Sequence, residues 1–202
     1  MIIDSGVNCN TYEENILNHY GFWKYRCPCC NALQSFTRHA IYTRHICSLN
    51  FDAVVEKRIN ILRLACNSCT TTHAILPADT IPYCIYSFSC IFQVLVQNLL
   101  EEKSILEISS NNQISFQMIY LFLKRFINHF NSCINFLRVF LAAQLDFSAP
   151  SKDVISIIVK NFSYIDFQRE YFSHIKVVFL MIRSQNVLSR KLHIGSYFKP
   201  PT

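Results

Sequence analysis

The sequence predicts an α+β fold, with a small module of short β-strands first and an all-helical domain after it. Three observations carry this. Cysteine-bearing turns bracket stretches of β-branched and aromatic residues between positions 24 and 83. From Ile85 onward apolar residues recur at three and four, and proline is absent between Tyr83 and Ala149. Three glycines in 202 residues are too few for the positive-φ turns of a many-stranded β protein. A hydrophobic fraction of 51% excludes a chain that stays disordered for want of a core.

Charge and punctuation divide the chain into four parts. Residues 1–23 carry three acids and no Lys or Arg, an acidic leader with one short helix expected around Glu13–His19. Residues 24–83 form the β module, whose first forty residues hold seven Lys/Arg against Asp52 and Glu56. Residues 84–149 are close to neutral and helical. Pro150 then breaks the pattern, and Ser151 followed by Asp153 starts a basic helical C-terminal segment, 150–202. The final HIGSYFKPPT reads as irregular. Two basic blocks around an apolar middle fit contact with a polyanion, although ordinary solvated surface gives the same counts. The opening MIIDSGVNCNTYEEN has neither the basic nor the apolar region of a secretory signal. The ten cysteines therefore read as thiols or thiolates of a cytoplasmic protein rather than as disulfides.

Within the β module the strand signals fall at Tyr42–Ile46 and Arg58–Leu64. Cys27-Pro-Cys-Cys30 and Cys66-Asn-Ser-Cys69 each contain a C-x-x-C turn, and each such turn aims two sulfurs at one point. Two of them supply the four soft thiolates that zinc takes in a tetrahedron. Cys27, Cys30, Cys66 and Cys69 are thus the expected ligands of a structural Zn2+ in a zinc-ribbon-like module. The 35 residues between Cys30 and Cys66 exceed the usual spacing of about 15–20, and an inserted hairpin around residues 38–60 accounts for the excess. A redox C-x-x-C needs only one pair, within a βαβ pattern that is not evident here. Cys29, His39, His45 and His73 remain alternative ligands, and Cys9, Cys47, Cys84, Cys90 and Cys133 read as small apolar fillers.

In the helical half, the uncharged run TIPYCIYSFSCIFQVLVQNLL is long enough to cross a bilayer. Its recurring Ser, Gln and Asn favour a helix buried in protein over a membrane anchor at residues 80–100. Next, EKSILEISSNNQISFQMIYLFLKRFINHF has the pattern of a helix-turn-helix. A short helix, Ser104–Ile108, precedes a turn at Ser109–Asn112, and a second helix follows with Ser115 as N-cap. On that helix Ile119, Phe122, Leu123, Phe126, Ile127 and Phe130 form the core stripe, while Gln117, Tyr120, Lys124 and Asn128 line the opposite face. Gln and Asn read adenine edges, and Lys124 and Arg125 suit guanine or phosphate. An amphipathic helix in any bundle would show the same stripe. Arg38, Arg44, Lys57 and Arg58 on the hairpin would add phosphate contacts.

The stretches CPCC, RLACNSCTTTHAILPADTIPY and ISFQMIYLFLKRF, in that order, resemble a bacterial family, mostly from Firmicutes, known only as a domain of unknown function. The pattern R-x-x-C-x-x-C-x-x-T-H-x-x-L-P, met by Arg63, Cys66, Cys69, Thr72, His73, Leu76 and Pro77, is similar to the front end of insertion-sequence transposases. The resemblance covers roughly residues 20–130 and implies a DNA-associated role tied to mobile elements, with a transposase or other protein as partner. A transposase also needs a carboxylate triad holding two metal ions. Only Asp146, Asp153, Asp166 and Glu170 follow the helix-turn-helix, within 25 residues, so no catalytic domain is expected. The function expected from the sequence is DNA binding without catalysis; the rivals are a zinc-bearing protein-interaction module and a membrane-associated protein.

Overall fold

A computed structural model describes residues 2–18, 24–50 and 53–181. The chain is α+β. Strands β1 (Ile2–Asp4), β2 (Phe36–Asn50), β3 (Ala53–Cys66) and β4 (Thr72–Leu76) form one sheet in the order β1-β4-β3-β2. Helices α1 (Phe88–Leu99), α2 (Ile105–Asn112), α3 (Phe116–Leu141), α4 (Ser151–Asn161) and α5 (Tyr164–Ile175) follow. A five-residue π-helical turn, Glu13–Leu17, sits in the leader, close to the helix expected there; His19 and the tail HIGSYFKPPT lie outside the described residues.

The expected hairpin exists, but its strands are not short. β2 and β3 pair antiparallel from Phe36↔Cys66 to Asn50↔Ala53, with one irregularity between Arg38 and Ala40. Fourteen residues of β3 at about 3.3 Å each make a ladder on the order of 45 Å long. The Thr, Val, Ile and Tyr content explains why it persists so far, and its Phe36–Cys66 end meets the cysteine turns.

The leader is part of the sheet, which its sequence did not suggest. β1 pairs parallel with β4. Beyond the short β3–β4 pairing at Arg63–Ala65, the open edge of β3 is covered by leader side chains. The Leu62 N–H donates to the Tyr12 hydroxyl at 3.1 Å, which donates to the Ile75 carbonyl at 2.7 Å. The Asn60 N–H donates to Glu13 Oε1. Tyr12 is fully buried, and burying its ring is favourable because the hydroxyl has both partners. An otherwise exposed strand edge is thereby closed.

Two apolar cores result. One gathers Tyr12, Ile46, Ile59, Ile61, Leu64 and Ile75 around the sheet. The other lies among the helices and is largely aromatic: Phe167 meets the rings of Phe88, Phe136, Phe162 and Phe179 at centroid separations of 5.0 to 6.1 Å. The uncharged run 80–100 contains α1, capped by the Ser87 hydroxyl accepting from the Cys90 N–H. Six of its twelve residues are buried in this core. No helix among the described residues is long and apolar enough to cross a membrane.

Ser104, expected as the first residue of the short helix, is instead the N-cap of α2, its hydroxyl accepting from the Glu107 N–H. The expected turn at Ser109–Asn112 is instead the last turn of α2. Asn112 is buried and donates to Gln97 Oε1 at 2.6 Å, and the Ser109 hydroxyl donates to the Ile114 carbonyl. These tertiary partners satisfy side chains that would otherwise favour a turn. The chain reverses at Gln113, in the left-handed region, and α3 begins after Ser115.

Candidate metal centre and basic surfaces

The two C-x-x-C turns are built alike. In the first, the Asn31 N–H returns to the Cys27 carbonyl at 2.8 Å; in the second, the Thr70 N–H returns to the Cys66 carbonyl at 2.8 Å. Asn31 and Thr70, each the residue after the second cysteine, take left-handed backbone angles with φ 60° and 58°. Asn tolerates that region better than a β-branched Thr, so the Thr70 conformation is imposed by the turn. The turns are tied together by the Asn67 N–H donating to the Ser35 carbonyl and by the Ser35 and Ser68 hydroxyls, 2.7 Å apart.

Between them the sulfurs of Cys27, Cys30, Cys66 and Cys69 all lie within 4.8 Å of one another. Cys27 and Cys69 approach to 3.6 Å, Cys30 and Cys66 to 3.7 Å. These separations far exceed a disulfide bond of about 2.05 Å. They match the edge of about 3.8 Å expected for a tetrahedron of thiolates at about 2.3 Å from a central ion. The donor set is therefore compatible with a metal ion.

The local electrostatics favour the thiolate at Cys66 and Cys69. Hydrogen bonds from the Thr71 hydroxyl and N–H hold Cys69 down to about 6. Burial pushes Cys66 up, but N–H groups of Cys69 and Ser68 outweigh it and leave the thiol below its ordinary value. Cys30 takes the opposite course: the Ala32 N–H lowers it, yet burial and the neighbouring sulfurs push it up to about 12. Crowded sulfurs thus share protons, and a bound cation would replace them.

The other sequence candidates stay outside this group. Cys29 is exposed and its sulfur faces the Thr71 hydroxyl at 3.8 Å. His73 is buried with Nε2 3.4 Å from the Cys27 sulfur and its ring edge-on to Phe36; it buttresses the cluster without joining it. His45 pairs with Glu56 at 2.7 Å and His39 is exposed. Cys9, Cys47, Cys90 and Cys133 are buried thiols raised chiefly by burial, as expected of apolar fillers, and Cys84 is buried as well.

The nine residues expected to face DNA divide. Gln117, Tyr120, Lys124 and Asn128 are exposed on one side of α3. Arg125 is not with them. It is 8% exposed, with Nε and Nη1 unpartnered among the described residues. At 100° per residue it lies round the helix from Lys124, on the flank of His129 and Phe136, where His129 Nε2 holds the Met181 carbonyl at 2.9 Å. Ile127 departs the other way, being 50% exposed where the core stripe was expected to bury it. Arg125→Met, which keeps the length and removes the unpaired donors, should raise stability by about 1–3 kcal/mol, measured by urea unfolding.

The hairpin cations also separate. Directly paired residues share a face of the sheet, so Arg58, opposite His45, and Arg38, opposite Leu64, lie on one side. Both are exposed, about 20 Å apart along the ladder. Arg44, opposite Ile59, and Lys57, opposite Ile46, lie on the other. Arg44 donates to the carbonyls of Ile81 at 2.7 Å and Cys84 at 2.6 Å, so it pins the β4–α1 loop rather than awaiting a phosphate. Lys57 is half-buried and bonded to Asn10. Sequence reasoning missed Arg63, exposed on the Arg44 side, where its place in the R-x-x-C pattern drew attention to the cysteines only.

No curated protein and no solved structure matches the chain. Residues 27–114 match a family model described as Domain of unknown function (DUF6431), a stretch that runs from the first clustered cysteine to Ile114 in the α2–α3 turn and stops before α3.

Proposed function

We propose that this is a DNA-binding protein whose sheet is clamped by one structural zinc ion, linked to mobile elements and without catalytic chemistry of its own. The observation that carries the reading is the joint placement of two surfaces. Gln117, Tyr120, Lys124 and Asn128 are exposed on one side of α3, and Arg38 and Arg58 are exposed on one face of the hairpin that the cysteine cluster anchors. Zinc suits four sulfur donors, and four of them leave no open position for a reacting water. In this reading α2 and α3, joined by Gln113–Ser115, act as a helix-turn-helix with α3 presenting the amides that read base edges. Among the described residues, the one group of three or more side chains placed to hold a metal is the cysteine cluster. Asp153 opens α4, while Asp166 bonds to Ser163 and pairs with Arg169.

Fluorescence anisotropy with a labelled duplex over a salt series tests this. Three exposed cations, Arg38, Arg58 and Lys124, predict that log K falls with log salt at a slope of about −2.7, and Lys124→Ala lowers the slope by about 0.9. Absence of binding at low salt, or full affinity in a Gln117→Ala/Lys124→Ala/Asn128→Ala variant, counts against the proposal. The rival, a protein-docking module, is favoured by Val139 and Phe140, exposed by 76% and 39% near the end of α3. It predicts association that is insensitive to salt.

A further inference from the structure

The face of the sheet opposite Arg38 and Arg58 carries a cavity of about 440 Å³, within the range of small-ligand sites. Directly paired and alternate residues share a face. Tyr42, Arg44 and Arg63, paired with Ile61, Ile59 and Ala40, therefore all rise from this one and line the cavity. The β4–α1 loop adds Pro82, Tyr83 and Ile85 to the wall. Two observations mark the cavity as more than a gap in the packing. The first is charge: the lining holds two guanidinium groups and no carboxylate. Arg44 is fixed in the wall, its Nη2 donating to the carbonyls of Ile81 and Cys84, and burial lowers its pKa from the ordinary value. Arg63 by contrast is exposed, and no hydrogen bond or ion pair holds it among the described residues. A recess lined by one sign of charge between apolar walls focuses its field on an ion of the other sign. The second is Tyr83, a bulky residue held at φ 60° with its ring 86% exposed between the buried Pro82 and Cys84. Packing within the fold offsets neither the left-handed conformation nor the exposed ring, and such conformations gather at ligand sites.

We infer that this cavity binds a small molecule that joins an oxyanion, a carboxylate or a phosphate monoester, to a flat ring, with Arg63 as its grip. The free guanidinium fork of Arg63 takes two oxygens of such a group through parallel N–H···O bonds. Arg44 keeps its carbonyl partners and contributes a positive charge that does not move. The half-exposed Tyr42 and the exposed Tyr83 offer ring faces to the apolar part of the ligand. The site is independent of the DNA reading, which uses none of these residues.

Isothermal titration calorimetry on the full chain tests the site with benzoate and phenyl phosphate. Benzyl alcohol serves as a ring without charge and inorganic phosphate as a charge without ring. At least one ring-bearing anion is expected to bind more tightly than both controls, and the tighter of the two identifies the oxyanion. Arg63→Gln is expected to weaken that anion about tenfold. Tyr83→Ala is expected to weaken it about threefold and to leave inorganic phosphate unchanged. Lys152→Gln, which removes an exposed charge from α4 outside the cavity, is expected to change nothing. Absence of binding by both ring-bearing anions overturns the inference, as does a control that binds as tightly as they do. Full affinity in Arg63→Gln, or an equal loss in Lys152→Gln, overturns it as well.

Discussion

Replacing Cys66 and Cys69 together by serine is expected to release the metal and unfold the strand module while leaving the helices folded. These two residues hold half of the four-sulfur cluster, and Cys66 ends the long strand β3. A structural zinc ion contributes about 10–16 kcal/mol of apparent binding free energy, against a whole-domain stability of about 5–15 kcal/mol. No rearrangement of the sheet can replace that. The helices have a separate apolar core around Phe88, Phe136 and Phe167, so their loss does not follow. Hydrogen exchange separates the two outcomes: Ile59, Ile61 and Leu64 lose protection, whereas Val94, Leu95 and Phe126 keep it. Unchanged protection in β3 would mean that the cysteines stabilise nothing.

The second large effect is at Phe167. Its ring is fully buried and meets those of Phe88, Phe92, Phe136, Phe162, Tyr171 and Phe179. It thereby joins α1, α3 and α5 to the segment after α5. Phe167→Ala leaves a cavity walled by rings that cannot close in on it, and should cost about 3–5 kcal/mol. Urea unfolding followed by helical circular dichroism checks this. A cost below about 1 kcal/mol would show that the aromatic packing is loose.

The cysteine cluster was legible because its information is local: the spacing within each C-x-x-C turn singled out Cys27, Cys30, Cys66 and Cys69 over Cys29, His39, His45 and His73. The hairpin was legible from loop length alone, since the residues between Cys30 and Cys66 had to leave and return. Its true extent was hidden, because exposed positions such as Arg38, His39 and Thr43 break the alternation that marks a half-buried strand. The role of the leader was hidden more completely. Tyr12 and Glu13 act on β3 some fifty residues away, and nothing in residues 1–18 announces an edge-covering segment.

Arg125 and Arg44 lie away from the exposed basic surfaces for different reasons. Lys124 and Arg125 are adjacent in sequence but about 100° apart on a helix, so only one of them can share the amide face. Arg44 looked like any other hairpin cation until the 77–87 loop was placed over it, and its two carbonyl partners come from that loop. Ser109–Asn112 has turn composition, yet the Gln97 amide fifteen residues earlier accepts from Asn112 and keeps the helix going. For Arg44 and for Asn112, local composition was outweighed by a partner distant in sequence.

Metal content of the purified chain, measured by mass spectrometry of the native protein, is the most direct test of the metal-clamped account. One zinc ion per chain is predicted, retained in Cys29→Ser and absent from Cys66→Ser/Cys69→Ser. A folded chain without zinc, or zinc retained when both cysteines are replaced, would contradict it.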